Sequence, residues 1–282
     1  MEVLKNEDLS QYTTLRIGGT AKEMLMPHCV EELCEITKTY KDALYISGGS
    51  NILIANREFG TVVNLRKFNT EIHNLGDGRY HVGASVRLQR LINTINQDGF
   101  GGIENLYSVP GLVGASVAMN AGGGEDSLDY IGNCVTKVHF VRDGCTYCFD
   151  KEECNFIFRD SYFKQNKDCI ITSVEFLFER MEQEESQKRK DDRLAYCREN
   201  QDSGHPNCGS VFKRCSYKVM LAMKLAEFGN KKGVHFSRKT PNWIINSGGP
   251  EGFVQAKRLI NFVKFTHRLV GKSCETEVII WE

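Results

Sequence analysis

The sequence has no excess of charge of either sign. Its 36 lysines and arginines balance 36 aspartates and glutamates, and its pI is close to 7.0. A protein that binds nucleic acid or an anionic membrane through a broad basic face carries a positive excess, so the composition argues against both partners. Any anion that the protein binds must therefore be held by a local site.

Long apolar runs are also missing. The first eight residues, Met-Glu-Val-Leu-Lys-Asn-Glu-Asp, carry acids where a signal peptide needs an apolar core. No later stretch approaches the apolar length of a membrane span. The sequence therefore predicts a cytoplasmic protein.

Paired metal ligands are scarce as well. The eleven cysteines are odd in number and lie in a long chain without a signal peptide, which favours free thiols over disulfides. The Cys-x-x-Cys pair, Cys145 and Cys148, follows the turn dipeptide Asp143-Gly144 between two apolar runs, a pattern typical of a β-hairpin. No second pair completes a zinc knuckle, and the seven histidines form no His-x-x-x-His motif. We expect no metal site.

The chain, at 282 residues, suits two domains. Short β-branched runs predict strands over residues 44–47, 51–55, 61–65, 80–82, 136–141 and 169–177, with a helix over 88–97. Residues 179–200 are highly charged and predict a solvated helix or connector. We place the boundary there, with a first domain over 1–183, itself split near 65–70, and a second domain over 184–282.

The second domain predicts two helices and a final strand. The helices cover residues 219–228 and 253–270, and His267 falls on the apolar stripe of the latter as a core or boundary residue. Residues 274–281 predict a strand in which Glu275, Glu277, Ile279 and Trp281 share one face.

Three glycine-rich segments stand out. Residues 44–54 predict strand, tight loop and strand, so the loop Gly48-Gly49-Ser50-Asn51 lacks the following helix of a dinucleotide fingerprint and the lysine of a P-loop. Its backbone N–H groups could form an anion nest, or the loop could be an ordinary turn. Residues 110–124 alternate small and apolar residues, which suits either a backbone exposed to a ligand or a tightly packed turn. Residues 14–21 place Arg16 before a glycine pair, and alone they favour a strand and a turn.

Seven segments together resemble the UDP-N-acetylenolpyruvoylglucosamine reductase family. They occur in order through most of the chain: residues 14–21, 48–53, 109–122, 158–164 (Phe-Arg-Asp-Ser-Tyr-Phe-Lys), 209–213 (Gly-Ser-Val-Phe-Lys), 242–249 and 275–278. The short intervals between them are similar to the compact class of the family.

The resemblance implies an α+β protein with a two-part FAD-binding domain, of the PCMH or vanillyl-alcohol-oxidase type, followed by a smaller α+β substrate domain. It implies FAD as cofactor and NADPH as co-substrate in bacterial peptidoglycan synthesis, which serves cell-wall biogenesis, cell shape and cell division. The implied FAD-binding residues are Arg16, Gly48, Gly49, Ser50, Asn51, Pro110, Gly111, Gly114, Asn120, Ala121 and Gly122.

The resemblance also implies a role for each catalytic residue in reducing the enolpyruvyl group. Arg159 holds the substrate carboxylate, a task that suits a guanidinium fork. Ser210 is the proton donor to C2, and Glu277 stabilises the enol form, for which an apolar face would help by keeping the acid protonated. Lys213 and Arg214 would meet the uridine diphosphate, or else they are solvated charges.

The sequence departs from the family pattern near the proposed proton donor. Cys208 precedes Gly209-Ser210 where a small residue is more usual, and Pro241 replaces another small residue. Two alternatives stay open: a paralogous flavoenzyme acting on a different sugar nucleotide or alcohol, and a flavin-binding module without turnover. We expect a monomer that binds the enolpyruvyl UDP-sugar and neither nucleic acid nor a membrane.

Overall fold

The computed structural model describes residues 1–123, 129–225 and 232–282. The strands in these residues are β1 (Glu2–Asp8), β2 (Thr20–Met26), β3 (Leu44–Ile46), β4 (Ile52–Ile54), β5 (Glu58–Asn64), β6 (Ile72–Gly76), β7 (Arg79–Gly83), β8 (Phe100–Gly101), β9 (Val135–Arg142), β10 (Cys145–Asp150), β11 (Ile170–Leu177), β12 (Glu179–Arg180), β13 (Asn207–Ser210), β14 (Phe212–Arg214), β15 (Val234–Phe236), β16 (Trp243–Asn246), β17 (Glu275–Thr276) and β18 (Ile279–Trp281). The α-helices are α1 (Val30–Thr39), α2 (Leu88–Gln97), α3 (Val113–Ala118), α4 (Tyr162–Gln165), α5 (Gln183–Asn200), α6 (Tyr217–Leu225) and α7 (Phe253–Leu269).

The strands form three larger sheets and three short pairs. The sheets have the orders β1-β2-β5-β3, β10-β9-β11-β7-β6 and β13-β16-β15, and the pairs are β12-β8, β14-β17 and β18-β4. All six strands predicted over residues 44–177 are present, so that part of the sequence analysis is confirmed.

The chain divides into two compact units. The first unit contains Met1–Leu4, Met24–Gly48 and Thr61–Ala195, and the second contains Lys5–Glu23, Gly49–Gly60 and Tyr196–Glu282. The second unit thus takes two segments from the N-terminal part of the chain. The predicted boundaries, at 183/184 and near 65–70, divide the chain by function, and they stay predictions.

The core of the first unit lies against the five-stranded sheet. Alternate residues of β9, among them Val138 and Phe140, are buried, while Lys137 and His139 lie on the other face. The predicted helix over 88–97 is confirmed as α2, which buries four apolar residues at helical spacing. These are Leu88, Leu91, Ile92 and Ile95.

The predicted hairpin at Asp143-Gly144 is confirmed. Both residues have positive φ, 49° and 81°, as a two-residue hairpin turn requires, and Cys145 pairs with Arg142 across it. Cys145 and Cys148 are exposed on β10, and all eleven cysteines are free thiols, as predicted.

The charged stretch forms helix α5, which confirms the prediction of a solvated helix over most of its surface. Its first-unit part also has a buried side, where Lys190 is only 8% exposed and Arg193 Nε donates to Ser108 Oγ at 2.8 Å. No helix in the described part of the chain is both long and apolar enough to cross a bilayer.

The second unit contains α6 and α7. Helix α7 confirms the predicted helix over 253–270, whereas residues 226–228 of the other predicted helix and residue 124 of the second glycine segment lie outside the described residues. His267 is fully buried, as expected of a core residue. Its Nδ1 lies 2.8 Å from the carbonyl of Val263, and its Nε2 accepts the N–H of Ser216 at 2.9 Å, so both ring nitrogens serve structure.

The prediction of one strand over residues 274–281 is wrong. Strand β17 pairs with β14, and β18 pairs in parallel with β4. Between them, the N–H groups of Glu277 and Val278 both donate to the carbonyl of Val211, at 2.7 and 3.2 Å. Two successive N–H groups cannot point the same way in one regular strand, so the period of two is broken and the predicted shared face does not exist.

Candidate functional site

The loop between β3 and β4 has a conformation that only glycine can adopt at its second position. Gly49 has φ 67°, and a Cβ built on it would lie 1.9 Å from the carbonyl oxygen of Tyr12. Thr14 N–H donates to Gly49 O at 2.9 Å. The N–H groups of Gly48, Gly49 and Ser50 donate to no other described residue, and their predicted contact with a phosphate group of FAD stays a prediction.

Gly48 belongs to the first unit, where it meets the second glycine segment. A Cβ on Gly48 would make ordinary contact with the Pro110 carbonyl and the Leu112 side chain, at 3.5 and 3.6 Å. Arg66 holds the preceding backbone, donating to the carbonyls of Ser47 and Gly48 at 3.1 and 3.2 Å. Two of the predicted glycine segments are therefore neighbours within this unit.

Tight packing explains several small residues of the second segment. Gly114 N–H donates to Ala84 O at 2.8 Å, and a Cβ on Gly114 would lie 2.8 Å from that of Ala84. A Cβ on Gly122 would lie 2.3 Å from the carbonyl of Asp129. The contacts of Gly114 and Gly122 support the interpretation of this segment as a tightly packed turn. The predicted contact of these two residues with FAD stays a prediction.

Asn120 and Arg159 are braced by their own unit. Asn120 Nδ2 donates to Ile157 O at 2.9 Å, and its Oδ1 accepts the N–H of Gly132 at 3.1 Å. Arg159 Nη2 donates to Gly122 O at 2.8 Å, and Arg159 itself has φ 54°. The Arg159 side chain is thus hydrogen-bonded to the second glycine segment. Both polar atoms of the Asn120 side chain are also used in hydrogen bonds within the same unit.

Arg16 lies in the second unit in a loop held by Asn246. Asn246 is 4% exposed, and its Nδ2 lies 3.0 Å from Leu15 O, 3.4 Å from Arg16 O and 2.8 Å from Gly249 O. Arg16 has φ 55° and an exposed side chain. Sequence reasoning missed Asn246, although it lies inside the segment 242–249 that carried part of the resemblance.

Ser210 ends strand β13 and is positioned by a second asparagine. Asn242 O accepts the N–H of Val211, Asn242 Oδ1 accepts that of Phe212, and Asn242 Nδ2 donates to Phe212 O, at 3.0, 3.0 and 2.8 Å. Ser210 is half-buried, and its hydroxyl bonds no other described residue. The backbone beside the hydroxyl is therefore fixed while the hydroxyl stays available to a ligand.

Glu277 lies next to this serine backbone. Its N–H donates to Val211 O at 2.7 Å, and Asn51 Nδ2 donates to Glu277 O at 3.3 Å. The buried hydroxyl of Thr276 has no partner among the described residues. The second unit thus joins the first glycine loop, the end of β13 and Glu277, and the buried Thr276 hydroxyl is available to a ligand.

Cys208 is fully enclosed two residues before Ser210. Burial, together with the nearby charge of Glu277, raises the pKa of the Cys208 thiol to about 12. The thiol is therefore neutral and unreactive at ordinary pH.

Lys213 and Arg214 are both paired with Glu275. Lys213 Nζ lies 3.0 Å from Glu275 Oε2, and Arg214 Nη1 lies 3.2 Å from Glu275 Oε1. These hydrogen bonds hold the pKa of Glu275 below its usual value. A diphosphate would share the two cations with this carboxylate, so their predicted contact with substrate stays a prediction.

Curated relatives match this chain almost from end to end. UDP-N-acetylenolpyruvoylglucosamine reductase of Thermotoga maritima is 33% identical over 284 residues, covering 98% of this chain and 97% of the relative. The enzyme of the same name from Halalkalibacterium halodurans is 32% identical over 287 residues, covering 98% and 93%. The chain belongs to the UDP-N-acetylenolpyruvoylglucosamine reductase family.

Other comparisons agree with the reductase family. A family model described as an FAD binding domain matches residues 22–146. The crystal structure of UDP-N-acetylenolpyruvylglucosamine reductase from Thermus caldophilus aligns with a TM-score of 0.81 at 24% identity, covering 100% of this chain and 98% of that one, which shows the fold. The predicted α+β fold with an FAD-binding domain is confirmed.

The FAD-domain match covers only part of the predicted site. Residues 22–146 include the loop Gly48–Asn51 and the segment 110–122, but not Arg16, Arg159, Ser210 or Glu277. The presence of an FAD-binding domain is therefore established, while the role of each individual residue stays a prediction.

Proposed function

We propose that this reductase-family chain converts UDP-N-acetylglucosamine enolpyruvate to UDP-N-acetylmuramate, with FAD as cofactor and NADPH as electron donor. The observation that carries the proposal is the placement of Ser210 and Glu277 around the carbonyl of Val211, in a chain with near full-length relatives of that name. Ser210 precedes Val211, and the backbone N–H of Glu277 donates to Val211 O at 2.7 Å. A hydroxyl and a carboxyl group are thus carried by neighbouring backbone segments, which suits proton delivery to an enolpyruvyl carbon.

FAD, when bound, supplies the hydride that adds to C3 of the enolpyruvyl double bond. The loop with Gly48, Gly49 and Ser50 would hold a phosphate group of FAD through its backbone N–H groups. We propose that these groups orient the cofactor by hydrogen bonding rather than by charge, because the loop itself contains no lysine or arginine.

Ser210 would deliver the proton to C2. Its hydroxyl bonds no other described residue, and Asn242 fixes the backbone that carries it. A serine with this support needs little reorganisation to reach a carbon at hydrogen-bond distance. The net addition is then one hydride at C3 and one proton at C2.

Arg159 and Glu277 would stabilise the charge that develops on the substrate carboxylate as the hydride arrives. The positive φ and the bond to Gly122 O set the direction of the Arg159 side chain before any substrate binds. We propose that Arg159 binds the carboxylate and that Glu277 stabilises the enol form.

We further propose a monomeric, cytoplasmic enzyme that serves peptidoglycan synthesis and hence cell shape and division. Size-exclusion chromatography with light scattering tests the first point, since a monomer has the mass of 32.0 kDa. A mass of twice that value would contradict it.

Anaerobic stopped-flow absorbance at the visible flavin band tests the activity. NADPH is added first, and the enolpyruvyl UDP-sugar is added after bleaching. Bleaching followed by rapid recovery is the expected result. Bleaching without recovery would indicate a flavoenzyme that acts on another substrate. Bleaching by NADH but not by NADPH would identify NADH as the electron donor. A flavin that neither nucleotide bleaches would indicate a flavin-binding module without turnover.

A further inference from the structure

The outer face of the five-stranded sheet carries a row of side chains that can bind metal, one from each strand. His73 lies on β6, His81 on β7, Glu175 on β11, His139 on β9 and Cys148 on β10. His73 pairs with His81, His81 with Glu175, and Cys148 with His139 in the register of the sheet. The residues are far apart in the sequence, and the pairing of the strands brings them together.

The central three side chains converge. His139 Nε2 lies 3.0 Å from Glu175 Oε1, and His81 Nδ1 lies 4.0 Å from the same oxygen. One ligand atom from each of the three lies within 4.8 Å of the others. Cys148 Sγ lies 3.9 Å from His139 Nε2 and is a fourth candidate. This is the one group of three or more such residues found in the described part of the chain.

We propose that His81, His139 and Glu175 bind a Zn²⁺ ion, with Cys148 as the fourth ligand. A tetrahedral zinc ion with nitrogen and oxygen ligands at about 2.0–2.2 Å spaces its ligand atoms about 3.3 Å apart. The pair of His139 and Glu175 is already near that spacing at 3.0 Å, and His81 Nδ1, at 4.0 Å, must approach Glu175 Oε1 by roughly 0.7 Å. Imidazole, carboxylate and thiolate are a donor set that suits zinc and not Mg²⁺ or Ca²⁺.

The surroundings allow an ion to enter and hold the ligands in place. The side chains of His81, His139 and Glu175 are 33%, 32% and 30% exposed. On the other face of the same strands, Tyr80 and Val138 are fully buried in the core, which fixes the backbone of the ligands.

The charges around the cluster do not exclude a cation. Lys137 pairs with Glu175 in the register of the sheet, but its ammonium group lies 3.9 Å from Asp150, which offsets its charge. Three carboxylates, those of Asp150, Glu153 and Glu175, place negative charge near Cys148, whereas Lys137 places positive charge there. An ion would link the neighbouring strands β7, β11, β9 and β10 and so stabilise the first unit by mass action.

The simpler interpretation of the cluster is a hydrogen bond between His139 and Glu175 that binds no metal. Zinc binding by the FAD-loaded protein, stripped of metal with a chelator, separates the two. In competition with a chromophoric chelator we expect one Zn²⁺ per chain that is lost in His139→Ala and Glu175→Gln. Because loss of an outer-shell partner alone costs about 10- to 100-fold in affinity, we expect loss of a ligand to cost about 100-fold or more.

His28→Ala is the matched control, because it removes an exposed imidazole from another part of the chain. It should bind zinc like the wild type. Zinc should also raise the thermal midpoint of the wild type and of His28→Ala, but not that of His139→Ala, whose midpoint without metal shows whether the variant is folded. No stoichiometric zinc on the wild type, or equal zinc on His139→Ala, would overturn the proposal.

Cobalt tests the fourth ligand. Co²⁺ at a tetrahedral site with a thiolate gives a charge-transfer band that a site without sulfur lacks. We expect this band in a difference spectrum of the wild type and of Cys145→Ser, whose cysteine lies on the same strand but points to the opposite face. Cys148→Ser should lose the band. Its persistence in Cys148→Ser would remove Cys148 from the site.

Discussion

The two units support their proposed catalytic residues in different ways. In the first unit, the side chains of Asn120 and Arg159 are bonded to the backbone of their own unit, through Ile157 O, Gly132 N–H and Gly122 O. In the second unit, Asn242 fixes the backbone next to Ser210, while the serine hydroxyl bonds no described residue.

The difference matches the tasks proposed for the two residues. A cation that binds a carboxylate gains from being held in one direction before the substrate arrives. A proton donor must exchange its hydrogen bond during the reaction, so a strong bond to the protein would oppose its task. The support around each residue therefore agrees with charge binding in the first unit and with proton transfer in the second.

Replacing Ser210 with alanine tests that contrast most strongly. Loss of a positioned proton donor costs about 10²- to 10⁴-fold, so we expect Ser210→Ala to slow reoxidation by the enolpyruvyl substrate by that factor. Bleaching by NADPH should be nearly unchanged, since it needs no proton from Ser210. Stopped-flow absorbance measures both steps, and Ser216→Ala in the same unit is the control. Equal loss in both steps would rule out Ser210 as the proton donor.

Replacing Gly49 with alanine tests how far the second unit depends on its glycine loop. The new Cβ would meet the Tyr12 carbonyl at 1.9 Å, and the residue would keep a positive φ of 67°. We expect a loss of at least about 3 kcal/mol in the free energy of unfolding, and loss of bound FAD.

Gly60 provides the matched comparison for this variant. A Cβ at Gly60 would have no atom within 4 Å and its φ is not positive, so Gly60→Ala should change stability by less than about 0.5 kcal/mol. Urea denaturation and the ratio of flavin to protein measure the two effects. A Gly49→Ala protein that retains FAD and wild-type stability would show that the loop can relax.

The sequence predicted well what short segments determine. Helix α2 and the hairpin at Asp143-Gly144 follow from apolar spacing and from a turn dipeptide, both contained in a few residues. It failed at residues 274–281, because a distant carbonyl, that of Val211, takes two successive N–H groups there. The braces from Asn242 and Asn246 were missed for the same reason, since each joins segments that are far apart in the chain.

The candidate site shows the same limit. The resemblance to a family picked out Ser210 and Glu277 one by one, but their meeting around Val211 O depends on how β14, β17 and β18 pair. The cluster of His81, His139 and Glu175 has no local motif at all, because only the register of the sheet assembles it. A sequence shows which residues are available for a site, and long-range pairing decides which of them meet.

Replacing Asn120 with alanine measures the bracing in the first unit. The change leaves the buried Gly132 N–H without a partner and removes one of the two donors to Ile157 O, which keeps the N–H of Asp160. We expect a loss of about 2 kcal/mol in the free energy of unfolding. Asn120→Gly loses the same hydrogen bonds but adopts the positive φ of 43° without strain, so it should lose nearly as much. Urea denaturation of the two variants checks this. A much smaller loss in Asn120→Gly would mean that the positive φ of Asn120, and not its hydrogen bonds, matters.

The smallest expected effect concerns the buried thiol beneath Ser210. The pKa of Cys208 is raised from its ordinary value of 9.0 to about 12, so the folded state holds the proton that the unfolded state releases above pH 9.0. The contribution of this thiol to the free energy of unfolding is fully present below pH 9.0. It is lost as the pH rises towards the pKa of the folded state, at about 1.4 kcal/mol per pH unit. Cys208→Ala should therefore show a shallower loss of stability between about pH 9 and about pH 11 than the wild type. Cys29→Ala, which removes an exposed thiol, should keep the wild-type slope in urea denaturation. An unchanged slope in Cys208→Ala would mean that the thiol ionises without unfolding the second unit, and its enclosure would then be looser than the structure indicates.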